Sequence, residues 1–267
     1  MSNLSDSTVV VSQYKDASKL NTRIDLHTLY STNKYGWFRW LFDRFDLPST
    51  CHILDVGAGS GDLWLENHDR LADGWTITVT DVFPGMLNKA QKNLAGGDRP
   101  FSFAVVDAQA IPFGDERFDV VIANHMLYHV PNLEKALSEL RRVLKSGGRF
   151  YASTVGWTHM QGLRDLVCEY DPDVAPWNAQ EAVSFALENG RDLLAPWFSG
   201  VERQRYPDNL VVIEAEPLVA YMQSMVTLQS PRIERDPAAF TRYVKAKIAS
   251  QGAIRISKDS GVFLAVR

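Results

Sequence analysis

Residues 53–62 read Ile53-Leu54-Asp55-Val56-Gly57-Ala58-Gly59-Ser60-Gly61-Asp62, and this stretch decides the fold. A short apolar run containing an acid is followed by three glycines at alternate positions, and an amphipathic run begins at Leu63. The pattern is that of a strand that stops at a bare backbone turn and feeds a helix. Glycine suits such a turn because a side chain would block close approach of a ligand and would resist a positive φ. Taken alone, the glycines fit a plain structural turn equally well. The second argument comes from acids and polar residues that recur farther along the chain.

Outward from this turn, strand-like segments at 52–56, 76–80, 101–106, 119–123 and 149–153 alternate with helical spacing over 63–71, 85–94 and 133–144. In the last of these, Leu133, Leu137, Leu140 and Leu144 share one face, and Gly147-Gly148 reads as the stop. Alternation of this kind predicts an α/β fold, a doubly wound, mainly parallel sheet with helices on both faces. Ligands of such sheets sit beyond the carboxyl ends of the strands, at the point where the strand order reverses.

The flanks divide the chain further into one domain with four parts. Residues 1–50 form an N-terminal helical cap, with a helix around 17–29 and an aromatic helix through Trp37, Trp40, Leu41 and Phe45, whose spacing signals core packing. Residues 51–155 form the core. Residues 156–200 carry Trp157, Tyr170, Trp177, Phe185, Trp197 and Phe198, and read as a helical lid inserted at the ligand edge. Residues 201–267 complete the sheet, with a strand pair or hairpin arm at 201–213, a helix at 215–225 and a final strand at 261–266.

Composition narrows the function. The 267 residues are 45% hydrophobic and 22% charged, as in an ordinary globular protein, and the formal net charge of −4 gives no electrostatic footprint for nucleic acid or an anionic membrane. Apolar stretches reach only about five or six residues, far short of a span. Residues 1–16 are polar and lack the apolar centre of a signal peptide, so the expected location is cytoplasmic. Cys51 and Cys168 make no CxxC pair and read as reduced thiols, and none of the six histidines has ligand spacing, so no metal is expected.

Four strand ends carry the chemistry. In the glycine turn, Asp62 takes the place of the third glycine of a dinucleotide fingerprint. A pyrophosphate would face Asp55 and Asp62, which speaks against a nicotinamide oxidoreductase, whereas a ligand with a cationic amino-acid end would be welcomed. Asp81, at the second strand end, can accept both hydroxyls of a ribose, although such an acid also serves as a cap or turn residue. Asp107-Ala108, at the third, can read an adenine edge. Ala123-Asn124-His125-Met126, at the fourth, stands where the reacting end of a ligand should lie.

This set, with Ile111-Pro112-Phe113, Phe118-Asp119-Val120-Val121 and residues 140–150 (LRRVLKSGGRF), resembles the class I S-adenosylmethionine-dependent methyltransferases. The likeness is strongest to the small-molecule branch described as methyltransferase type 11, and it covers about residues 50–155. It implies a Rossmann-like seven-stranded sheet whose last strand is antiparallel, and S-adenosyl-L-methionine as cofactor. It also implies a role for each matching residue. Asp55, Gly57, Ala58, Gly59 and Gly61 would hold the methionine part, Asp81 the ribose, Val82 and Met86 the adenine flank, Asp107 and Ala108 the adenine edge. Asn124 would lie near the sulfur, and Tyr14 and Arg23 would close over the carboxylate end.

His125, His129 and His159 are the candidate bases, since an ordinary imidazole titrates near pH ~6.5. Tyr128-His129 also matches a family pattern whose alternative reading is structural, anchoring the following helix. Trp64 reads as packing and Tyr30 as a wall of the acceptor site. The Asn-Pro-Pro-Tyr-type motif of nucleic-acid amino methyltransferases is missing, so the implied partner is a small-molecule acceptor; the aromatic content of residues 156–200 points to an apolar or aromatic one, with oxygen, nitrogen or carbon as the methylated atom. A protein that binds the same donor for other chemistry, or as a regulator, remains a second reading. Oligomeric state is left open.

Overall fold

The computed structural model describes residues 25–96, 101–174, 183–224 and 230–267. The chain divides into two compact units. The larger comprises residues 35–156, 184–206 and 260–267, and the smaller comprises residues 1–34, 157–183 and 207–259.

The larger unit is built on a seven-stranded sheet. Its strands are β1 (Thr50–Val56), β2 (Gly74–Asp81), β3 (Phe101–Val105), β4 (Phe118–Asn124), β5 (Leu144–Val155), β6 (Ser199–Tyr206) and, numbered in chain order, β9 (Ser260–Val266). They lie in the order β3-β2-β1-β4-β5-β9-β6. β1 pairs in parallel with β2 on one side and β4 on the other, so the strand order reverses between β1 and β4. β9 runs antiparallel to both β5 and β6. This is the Rossmann-like sheet with an antiparallel last strand that the sequence led us to expect.

Period-two alternation sends the two sides of each strand into different cores. Leu54, Val56, Val121, Ala123, Phe150 and Ala152 face one core, which is closed by Ala136, Leu137, Leu140 and Val143 of the helix Leu133–Val143. Ile53, Ile77, Val79, Val120, Ile122 and Tyr151 face the other. There they meet Leu63 and Trp64 of the helix Asp62–Glu66, Leu87, Ala90 and Leu94 of the helix Pro84–Leu94, and Trp40, Leu41 and Phe42 of the helix Trp37–Phe42.

Several local expectations need correction. The helix after β1 ends at Glu66, and Asn67 separates it from a single 3-10 turn at His68–Arg70. Asn67 is fully buried, and its side chain donates to Leu63 O at 2.8 Å and Phe38 O at 3.1 Å. Gly147-Gly148 is not a helix stop: the helix ends at Val143, Leu144 is already extended, and both glycines lie inside β5. A Cβ on Gly148 would come within 2.8 Å of Leu144 Cδ1 and Lys145 O, so glycine there allows the register shift between β4 and β5. The strands expected at 201–213 exist, as β6 and as β7 (Asn209–Val212), but they do not pair with each other.

The smaller unit contains the antiparallel pair of β7 with β8 (Ile254–Ser257) and the helices Gln161–Tyr170, Ala215–Ser224, Pro231–Arg235 and Pro237–Gln251. Ser230 and Asp236 cap the last two, each side chain accepting a backbone N–H of the first turn. Among the described residues, no helix is long and apolar enough to cross a membrane.

Candidate functional site

Gly57 has φ +71°, and a Cβ there would stand 2.8 Å from Met126 Cβ. The first residue of the turn after β1 therefore abuts the segment after β4, which brings the two strand ends on either side of the reversal together. Gly59 has φ +60° with only Met86 Cε near, at 3.6 Å. The turn is pinned to β2 by Ala58 N–H donating to Thr80 O at 2.9 Å, and Thr80 Oγ1 in turn donates to Asp55 O at 2.8 Å. Gly61 N–H closes the turn onto Ala58 O at 3.1 Å and takes the left-handed conformation at the helix start.

Two acids lie behind and beside this turn. Asp55 lies two residues after Ile53 and so on the same side of β1, and its side chain enters the core that holds Trp64. It is buried; Oδ2 accepts from Trp64 Nε1 at 2.7 Å, while Oδ1 has no partner among the described residues. Burial pushes its pKa up to about 7, with the Trp64 hydrogen bond opposing the shift and the charge of Asp81 adding to it. Asp81 is also buried, and burial raises its pKa against the N–H groups it accepts. Oδ2 takes Gly59 N–H at 2.9 Å and Oδ1 takes Phe83 N–H at 2.8 Å. The carboxylate expected for a sugar thus also fixes the centre of the glycine turn.

The other expected positions line the same edge of the sheet. Val82 is 49% exposed, whereas Met86 and Ala108 are buried. Asp107 is exposed, and its carboxylate accepts from the backbone and side chain of Gln109. Asn124 closes β4, half-buried, and its Oδ1 accepts from Trp37 Nε1 at 3.3 Å and from Ser153 Oγ. His125 follows with φ +52° and its ring 4.8 Å from that of Trp37. His129 ends the 3-10 turn Leu127–His129, its ring 4.4 Å from that of Tyr128.

The larger unit therefore gathers Asp55, Gly57, Ala58, Gly59, Gly61, Asp81, Val82, Met86, Asp107, Ala108, Asn124, His125 and His129 along the carboxyl ends of β1 to β4. His159 belongs to the smaller unit, where its Nδ1 accepts Asp259 N–H at 3.1 Å. Tyr14 and Arg23 lie outside the described residues. Trp64, read from sequence as packing, bonds to the buried acid. Trp37 and Ser153 bond to Asn124, although Trp37 had the spacing of a core residue and Ser153 gave no signal.

Residues 54–152 match a family described as "Methyltransferase domain". A ubiquinone/menaquinone biosynthesis C-methyltransferase, UbiE, of Zymomonas mobilis is 30% identical over 179 residues, covering 63% of this chain and 70% of that relative. The sterol 4-C-methyltransferase strm-1 of Caenorhabditis elegans is 34% identical over 108 residues, 40% of this chain and 32% of that protein. Across four such curated relatives, the chain spans from 32% to 70% of their length. The crystal structure of the [4+2]-cyclase SpnF has the same fold, with a TM-score of 0.58, 18% identity and coverage of 100% of this chain and 97% of that one.

Proposed function

Because the chain belongs to the class I S-adenosylmethionine-dependent methyltransferases, in the small-molecule, type 11-like branch, we propose that it moves a methyl group from S-adenosyl-L-methionine to a small apolar or aromatic metabolite by in-line displacement. The observation that carries this reading is the bare, positive-φ turn backed by Asp55, a buried acid with one unpartnered oxygen, next to Asp81. Two acids whose burial disfavours their charge gain most from a cationic ligand. Asp55 would balance the amino-acid end, Gly57 to Gly61 would line it, Asp81 would take the ribose, and Val82, Met86, Asp107 and Ala108 would enclose the adenine.

When bound, the donor supplies a methyl group on a sulfonium whose leaving group is a neutral thioether, so no general acid is needed. The residues must align the acceptor and keep water out. Positioning of this kind supplies about 7–11 kcal/mol of a barrier. A base is needed only where the acceptor must lose a proton. His125 and His129, both just after β4, are the side chains we assign to that task ahead of His159, whose Nδ1 already accepts a backbone N–H. The relatives named as C-methyltransferases make carbon the first acceptor atom to assay.

Incubation of the protein with methyl-labelled donor and a metabolite extract tests the proposal. Label in a small molecule supports it, and donor binding with no label transferred refutes it. The likeness of fold to a [4+2]-cyclase favours one second reading, donor binding in support of another reaction, and the second outcome would select it.

A further inference from the structure

The end of β4 carries a hydrogen-bond chain that packing alone does not require. His125 N–H donates to Ser153 O at 3.2 Å and to Ser153 Oγ at 3.0 Å. Ser153 Oγ–H donates to Asn124 Oδ1, and Trp37 Nε1–H donates to the same oxygen at 3.3 Å. The Trp37 indole, which can only donate, settles which end of the amide is which, since a flipped amide would set N–H against its N–H. The –NH2 of Asn124 therefore turns away from both, and takes no partner among the described residues.

The donors that fix this amide are themselves fixed. Ser153 is buried at 1% exposure in β5. The Trp37 ring packs against Trp40 and Tyr206, each with centroids 5.4 Å away, as well as against His125. His125 holds a left-handed φ that non-glycine residues adopt reluctantly, and strain of this kind tends to gather where a ligand is positioned. A half-buried amide, held from two sides and presenting two N–H groups at a ligand edge, is a preorganised donor.

Resting on the methyl-transfer reading above, we propose that Asn124 is a specificity-determining residue: its –NH2 grips an oxygen of the acceptor beside the atom that is methylated. Trp37 and Ser153 are the positioning residues that aim it. The acceptor class is then a phenol, enol or enolate, whose lone pairs face the two N–H groups. Asn124 also holds a phenolate oxygen while the neighbouring carbon attacks.

The test is calorimetric titration of the full chain, saturated with S-adenosylhomocysteine, using 4-nitrophenol and the same ring without the oxygen, 4-nitrotoluene. The expected result is a preference for the phenol of about tenfold or more, because a site built to hydrogen-bond an oxygen rejects the analogue lacking it. Asn124→Asp keeps an oxygen for Trp37 and Ser153 but puts a second oxygen where the –NH2 stood. It should abolish the preference between the two rings. Trp37→Phe, which keeps the ring and removes the N–H, should lower the preference about threefold to tenfold by freeing the amide. Equal binding of the two rings, binding of neither, or an unchanged preference in both variants overturns the proposal. Failure of S-adenosylhomocysteine itself to bind overturns the donor reading first, and is seen separately.

Discussion

Trp64 Nε1 donates to Asp55 Oδ2 at 2.7 Å, and among the described residues this is the one hydrogen bond that the buried acid near the end of β1 receives. The two residues are nine apart in sequence and come from a strand and the helix that follows it. Trp64 therefore both fills the core and solvates a carboxyl group.

Trp64→Phe keeps the aromatic packing and strips Asp55 of that donor. Leaving a buried acceptor unsatisfied costs about 1–3 kcal/mol. Urea denaturation should show a loss in that range at pH 8, where the acid is charged, and a smaller one at pH 5. Equal losses at both pH values would mean that the bond does not stabilise the charged form.

The raised pKa of Asp55 fixes the sign of a pH effect. In the folded chain the group titrates near 7, against an ordinary value of 3.8. Between these values the folded state binds more proton than the unfolded state, so this group's contribution to stability falls as pH rises through the window and is level above it. Asp55→Asn removes the titration and retains an acceptor for Trp64. The variant should gain on the native chain by on the order of 2–4 kcal/mol between pH 4 and pH 8. Parallel stability–pH curves for the two proteins would refute the assignment.

Asp81→Ala should weaken S-adenosylhomocysteine binding by roughly 1.5–3 kcal/mol, the range for hydrogen bonds to a charged group. Part of that loss would come through the turn, because Asp81 also accepts Gly59 N–H. Amide exchange at Gly59 should accordingly accelerate even without ligand. Unchanged affinity in calorimetry would remove Asp81 from the ribose role.

Two glycines of one turn should fail differently. Gly57→Ala would drive a Cβ to 2.8 Å from Met126 Cβ at a positive φ, and should cost the fold about 2 kcal/mol or more. Gly59→Val meets only Met86 Cε at 3.6 Å from its Cβ. Its φ costs about 1–2 kcal/mol, so the fold should survive while donor binding is lost. Thermal denaturation and calorimetry on both variants separate the two effects.

The sheet was legible because its signals are local. Apolar runs, the acid, and glycines at alternate positions mark β1 and its turn within ten residues, and the same logic found β2 to β5. The places of Asp81, Asp107 and Asn124 were legible for the same reason, each standing at or just past the end of a recognisable strand. Hidden were relationships between distant residues. Trp37 and Asn124 lie 87 positions apart, and Trp37 has the helical spacing of a core residue, so its bond left no trace in the sequence. Gly147-Gly148 misled because glycines after a helix suit a stop and a strand irregularity equally well. The strand pair at 201–213 misled because proximity in sequence suggests a hairpin, whereas β6 and β7 each pair with strands formed some fifty residues later.

The place of β9 bears on how the protein is made. β6 has no neighbour in the main sheet except β9, and β9 also covers the outer side of β5. Residues 207–259 must therefore be synthesised before either edge is satisfied. A nascent chain halted before Ser260 would expose two unpaired strand edges, an invitation to intermolecular pairing. Arrival of the segment Ser260–Val266 is thus the step that joins β6 to the main sheet and covers β5, in place of pairing with a neighbouring chain.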